Sequence, residues 1–231
     1  MPKMTAVSLF SGAGGLDVGF EKAGFQIVYA NEFDHDAACT WCANRPLYNQ
    51  VMHEGDINVL LPELEQYKGT VDVLFGGPPC QGFSVAGKMD PNDARSELIF
   101  TFLKAVQLVQ PKFFVMENVK ALGTLEKWAA VRNRYISMAT ELGYSVGYEV
   151  FHTAEYGVPQ KRDRVIFVGV RNGTPTAFFK EMEKLKCPAP TAREVLLSVG
   201  EFGSPENPDT CAAAITLAKR PIMRKSPYAA V

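Results

Sequence analysis

The chain has no apolar run approaching transmembrane length, and Met1-Pro2-Lys3-Met4 leads into strand-like sequence rather than a signal-peptide core. A cytoplasmic protein with no membrane contact is expected. Internal repeats and low-complexity tracts are absent. So is any global excess of one charge: with a net charge of −1 and a pI near 6.3, the chain carries no protein-wide nucleic-acid footprint. Its 5 cysteines are an odd count without a secretion signal, which predicts thiols rather than disulfides. Cys39 and Cys42 have metal-like spacing, but no second pair and no nearby His-x-His completes a zinc site. A helix face is the better reading of that pair, and no metal is expected.

What is present is a chain of 231 residues, 47% apolar, enough for one sizeable core and a small second module. Short apolar runs predict strands over 5–10, 25–30, 51–54, 71–75 and 113–116, with helical patterns over 16–23, 34–44, 96–109 and 125–142. Gly24 and Gly143 read as helix stops and Asp34 as a cap. Two further strands, over 146–152 and 164–170, have only a polar connection between them, which predicts an antiparallel edge hairpin. The expected fold is α/β, a mostly parallel sheet with helices on both faces. Past Arg171 the periodicity weakens, so a first domain over 1–175 and a second region over 176–231 are expected, the latter reading as cut at its end. Charge is uneven locally. Lys161, Arg162, Arg164 and Arg171 form one basic group, and Lys219, Arg220, Arg224 and Lys225 a second, both suited to phosphate contact.

Chemistry gathers at the predicted strand ends, where open α/β sheets form ligand crevices. Phe10-Ser11-Gly12-Ala13-Gly14-Gly15 follows a strand and opens a helix, so its glycines allow close backbone approach and leave helix N-terminal amides free. Glu32 ends the next strand, where a carboxylate would accept ribose hydroxyls, and Asp56 follows the third. Gly12, Gly14 and Gly15 lack the spacing of a dinucleotide fingerprint, so an adenosine ligand fits better than NAD. Phe10 and Phe33 are placed to flank its adenine. Gly76-Gly77-Pro78-Pro79 then ends a buried strand in a rigid turn and puts Cys80 beside the crevice, as a candidate nucleophile. A small core residue is the alternative reading of that cysteine.

Four segments together, Leu9–Leu16, Gly76–Ser84, Met116-Glu117-Asn118-Val119 and Gln160-Lys161-Arg162-Asp163-Arg164, closely resemble the DNA (cytosine-5) methyltransferase family, in that family's motif order. The resemblance implies the Rossmann-like fold of S-adenosylmethionine-dependent methyltransferases. It implies that Phe10, Ser11, Gly12, Gly14, Gly15 and Leu16 line the cofactor S-adenosylmethionine and that Glu32 holds its ribose. Phe33, Asp56, Ile57 and Pro78 would complete that pocket. Cys80 would be the nucleophile that adds to C6 of a flipped-out cytosine, with Glu117 on the base edge and Arg162 and Arg164 closing the base pocket. Residues 85–97, with Lys88 and Arg95, would be the family's catalytic loop. The implied partner is double-stranded DNA, in a bacterial restriction-modification system at the nucleoid. The family's later motifs are not found, so target recognition would need a complementing C-terminal region or subunit. A tRNA-cytosine methyltransferase shares much of this pattern, though Gly82-Phe83-Ser84 favours DNA. A regulatory nucleotide-binding module is the third reading, and it would need none of Cys80, Glu117 and Arg164.

Overall fold

A computed structural model of the chain describes residues 3–79 and 97–198. Cys80, Lys88, Arg95 and the basic group at Lys219, Arg220, Arg224 and Lys225 lie outside the described residues. The apolar runs become strands β1 (Met4–Leu9), β2 (Phe25–Glu32), β3 (Met52–Glu54), β4 (Val73–Gly76), β5 (Phe113–Val119), β6 (Tyr144–His152) and β7 (Asp163–Arg171). Helices α1 (Gly15–Lys22), α2 (His35–Ala43), α3 (Ile57–Leu60) and α4 (Leu98–Val109) follow the first four strands in turn. Next come α5 (Lys120–Thr124), α6 (Ala129–Glu141), α7 (Thr176–Lys184) and α8 (Ala192–Ser198). None of these helices is long and apolar enough to cross a membrane.

The seven strands form one sheet in the order β3-β2-β1-β4-β5-β7-β6, parallel through β5, with β7 antiparallel to both of its neighbours. This is the expected mostly parallel α/β sheet with an antiparallel hairpin at one edge. Period-2 alternation sends successive side chains to opposite faces. Val7 and Leu74 join the cluster built with Ile99, Phe102 and Tyr135 of α4 and α6. Their neighbours Ala6 and Val73 join Trp41 of α2 and Phe179 of α7 on the other face. Burial on both faces is why the central strands read as continuous apolar runs. The chain order reverses between β1 and β4, which opens a crevice outside their carboxyl ends.

Helix ends follow the expected local chemistry. The Asp34 carboxylate accepts from Ala37 N at 2.9 Å and caps α2, while Gly24 and Gly143 take left-handed φ of 92° and 87° just past their helices. Three readings of the sequence differ from the structure. β1 stops at Leu9, because Phe10 itself turns left-handed at φ 54°. The helix expected over 125–142 starts later: Leu125 is extended at ψ 136°, Glu126–Trp128 form a 3₁₀ turn, and α6 begins at Ala129. Gly123, inside α5, packs closely on Val165: a Cβ there would lie 2.7 Å from Val165 Cγ2. Arg171 does not join Lys161, Arg162 and Arg164. It lies at the opposite end of β7 and stacks on Tyr144 at 5.3 Å.

One glycine on β7 is required by packing rather than by a turn. A Cβ at Gly169 would fall inside the ring of buried Phe114 on the adjacent β5. Gly169→Ala should destabilise the protein by about 1–3 kcal/mol, the usual cost of overpacking a core. Urea unfolding would show this as a lower midpoint with an unchanged slope.

Candidate active site

The turn after β1 is built from backbone amides that find partners on the neighbouring strand. Ser11 N donates to Asn31 O at 2.9 Å, and Gly12 N donates to Glu32 Oε2 at 2.7 Å. Gly12 and Gly14 take φ of 55° and 88°, and Gly14 is the N-cap of α1. The Glu32 carboxylate also accepts from Phe33 N and Asp34 N, each at 2.9 Å through Oε1. It therefore joins the glycine turn to the start of the β2–α2 connection. Buried Asn31 adds a third tie, its Nδ2 donating to His53 O and Gly55 O, both at 3.0 Å. The ends of β1, β2 and β3 are one hydrogen-bonded unit.

A cavity of about 540 Å³ opens over that unit, lined by Phe10, Glu32, Phe33, Asp56, Ile57 and Pro79 among others. Its size lies within the roughly 300–1,000 Å³ usual for small-ligand sites. Phe33 is 74% exposed, so its ring face is open for stacking on a planar ligand. Asp56 serves the protein as well: its Oδ1 caps α3 by accepting from Asn58 N at 2.8 Å. A carboxylate ringed by apolar and aromatic walls suits a nucleoside, so the residues present fit an adenosine-bearing cofactor. Ser11, Gly15 and Leu16 line a second cavity, while Gly12 and Gly14 line neither and act through the backbone of the turn. Pro78 also lines neither. It is buried, and its carbonyl accepts from Asn118 Nδ2 at 3.2 Å, leaving Pro79 to face the first cavity.

The second cavity, about 720 Å³, meets the first at Phe10 and Gly77 and is bounded by Glu117, Arg162 and Arg164. Antiparallel pairing sets Arg164 opposite Val119 and Ile166 opposite Glu117, so Glu117 and Arg164 are diagonal neighbours on one face. Arg164 Nε lies 2.6 Å from Glu117 Oε1, and Arg162 Nη2 is 3.9 Å from the same oxygen. The other oxygen, Oε2, is 3.2 Å from where a Cβ on Gly77 would stand, so the glycine leaves it room. At the start of β7, hydrogen bonds from His152 (2.6 Å) and Lys120 (3.0 Å) hold the Asp163 carboxyl below the usual carboxylate range. Asp163 O in turn accepts from Arg164 Nη1 at 2.8 Å, which keeps the guanidinium aimed along the sheet. The structure thus brings together Glu117, Arg162 and Arg164 beside the glycine turn. Sequence reasoning passed over Asn31 and Asn118. A polar residue closing an apolar strand, just before or after a functional carboxylate, was the available signal for both.

Residues 4–220 match the family described as C-5 cytosine-specific DNA methylase. The chain belongs to the C-5 cytosine-specific DNA methylase family. It is 40% identical over 176 residues to the Type II methyltransferase M.NgoPII of Neisseria gonorrhoeae, covering 76% of this chain and 50% of that protein. It is also 40% identical over 202 residues to the Type II methyltransferase M.AquIA of Picosynechococcus sp., covering 82% of this chain and 79% of that one. Among solved structures, Spodoptera frugiperda DNMT2 superposes with a TM-score of 0.59 at 27% identity, over 74% of this chain and 50% of that one. The chain spans about half the length of several curated relatives it matches.

Glu117 and Arg164 remain 27% and 24% exposed, so solvent screens their ion pair. Such a pair contributes about 1 kcal/mol or less to stability. Arg164→Gln should accordingly leave urea unfolding within about 1 kcal/mol of the unaltered protein. A larger loss would mark the pair as a structural strut rather than a site group.

Proposed function

We propose that this chain is the catalytic lobe of an enzyme that methylates C5 of a flipped-out cytosine in double-stranded DNA, through a covalent bond between Cys80 and C6. The observation that carries the reading is the Glu117–Arg164 pair, set in a cavity that meets the nucleoside-sized one at Phe10 and Gly77. S-adenosylmethionine would supply the electrophilic methyl group. Phe10, Glu32, Phe33, Asp56 and Ile57 would hold its adenosine part, and Ser11, Gly15 and Leu16 would face its reactive end.

The residues supply what cytosine lacks. C5 is too weak a nucleophile by itself, and addition of the Cys80 thiolate at C6 moves electron density onto it, dividing one hard step into easier ones. Pro79, the covalent neighbour of Cys80, lines the nucleoside cavity, which supports that role. Glu117 would meet N3 and the exocyclic amine, exchanging a proton at N3 as the thiolate adds. Arg164, already held by Asp163 O, would meet the O2 side, and the half-exposed Arg162 would close the pocket. Loss of the C5 proton and departure of the thiol restore the aromatic ring. A stacked base cannot reach such a pocket, so flipping is part of the reading, at a cost of a few kcal/mol.

Residues 176–231 would begin the target-recognition region. A complementing C-terminal region or subunit would supply the rest, a reading supported by the roughly half-length match to several relatives. The Type II names of those relatives support a restriction-modification role in a bacterial cytoplasm, on nucleoid DNA.

Two measurements test this. Cys80→Ser should abolish both methyl transfer and the covalent adduct on an oligonucleotide bearing 5-fluorocytosine, where blocked proton loss traps the enzyme. An adduct formed by the serine variant would overturn the assignment of Cys80. Glu32→Ala should weaken S-adenosylmethionine binding by about one to two orders of magnitude, the effect of losing hydrogen bonds to a charged acceptor. Unchanged affinity by calorimetry would remove Glu32 from the pocket.

A further inference from the structure

The glycine turn is held from its cavity side by Glu32. From behind it is held by a residue that motif reasoning ignores. Arg45 follows the C-cap of α2 and is only 6% exposed, an unusual fate for an arginine. Its guanidinium makes a bidentate pair with Glu21 of α1, Nε to Oε1 at 2.8 Å and Nη2 to Oε2 at 2.9 Å. The same Nη2 donates to Gly14 O at 3.2 Å. The guanidinium carbon stands 4.6 Å from the centre of the Trp41 ring, whose Nε1 donates to buried Asp17 at 2.8 Å. Nη1 is buried with no hydrogen-bond partner among the described residues, packed against the position a Cβ on Gly14 would take. Leaving such a donor unpaired is costly, so the guanidinium is committed to this place by its other contacts.

We propose that Arg45 is a positioning residue for the cofactor turn: by gripping Gly14 O at the head of α1 and Glu21 in its last turn, it sets the backbone shape that receives S-adenosylmethionine without lining the cavity itself. The inference rests on the cofactor reading given above. Gly14 at φ 88° is the residue whose carbonyl starts α1, accepting from Val18 N at 3.1 Å. Fixing that carbonyl fixes where the free amides of the turn point. A lysine cannot reproduce the contact, because one ammonium cannot pair bidentately with Glu21, reach Gly14 and stack on Trp41 together.

The test uses the full chain, S-adenosylhomocysteine as the probe in calorimetry, and amide hydrogen exchange with no ligand. Arg45→Lys should weaken probe binding about tenfold, as expected when a charged hydrogen bond that shapes the site is lost. Glu21→Ala, which releases the guanidinium from a half-exposed surface partner, should weaken it by roughly threefold. Glu21→Gln keeps an acceptor for Arg45 and should return affinity to within about twofold of the unaltered chain. In Arg45→Lys, exchange should quicken at Gly12 and Gly14, whose amides donate to Glu32 Oε2 and Ser11 O, and stay unchanged in α6, a contrast that general loosening of the fold would not produce. Probe affinity in Arg45→Lys and Glu21→Ala unchanged from the unaltered chain would overturn the proposal, as would unaltered exchange at the turn. If Arg45→Lys does not fold, the Glu21→Ala and Glu21→Gln pair decides. If the unaltered chain does not bind the probe, the cofactor reading fails, and with it the inference that the turn is shaped for that ligand.

Discussion

The antiparallel direction of β7 is the constraint on which the Glu117–Arg164 side of the site depends. In a sheet that is otherwise parallel through β5, the functional ends are carboxyl ends, and a strand contributes only its last residues. β7 runs the other way beside β5, so its first residues arrive where β5 finishes. Arg164 can therefore meet Glu117. Were β7 parallel, Arg164 would sit most of a strand length away, on the order of 25 Å at roughly 3.3 Å per residue. The connection from His152 to Asp163 is polar for the same reason. It lies at the crevice, and its first and last residues are tied by a hydrogen bond of 2.6 Å.

The nucleoside half depends on a different balance. Phe10 at φ 54° is a non-glycine residue in left-handed geometry, which costs about 1–2 kcal/mol. The cost persists because the next amides are captured, Ser11 N by Asn31 O and Gly12 N by the Glu32 carboxylate. Ser8 and Ser11 hydroxyls bond each other at 2.8 Å beneath the turn, so the interior side is satisfied too. The carboxylate suited to ribose is thus also the clamp that keeps the turn in its strained shape, and removing it would cost the fold as well as the ligand.

Much of this was legible in the sequence, and the reason is local. Strand ends, the Asp34 cap and the glycine stops at Gly24 and Gly143 each depend on a few neighbouring residues, so pattern reveals them. Glu32 stood out because a carboxylate closes an apolar strand beside a glycine turn, whereas Glu117 and Arg164 were singled out by the resemblance of their motifs to the family's. Other features were set by partners far along the chain. Arg171 parts from Arg162 and Arg164 because the length of β7 separates them. Arg45 was invisible because both its partners, Glu21 and Gly14, belong to another helix and its turn, 24 and 31 residues away. Asp56 shows the intermediate case, a residue that follows its strand as its sequence position implied yet is engaged as a helix cap.

The turn that joins the two halves works through what its residues omit. A side chain at Gly76 would run into the Leu9 carbonyl, so β1 and β4 can lie side by side at the crevice only with glycine there. A side chain at Gly77, which lines both cavities, would crowd Oε2 of Glu117, so a second glycine leaves room where they meet. Pro78 and Pro79 then contribute no N–H groups, which spares a partly buried turn two donors it would otherwise have to satisfy. The one acceptor that Pro78 turns inward is met by Asn118, the residue after Glu117. That hydrogen bond ties the end of β4 to the end of β5, so the turn leading to Cys80 and the carboxylate proposed to bind the base are held to a common frame.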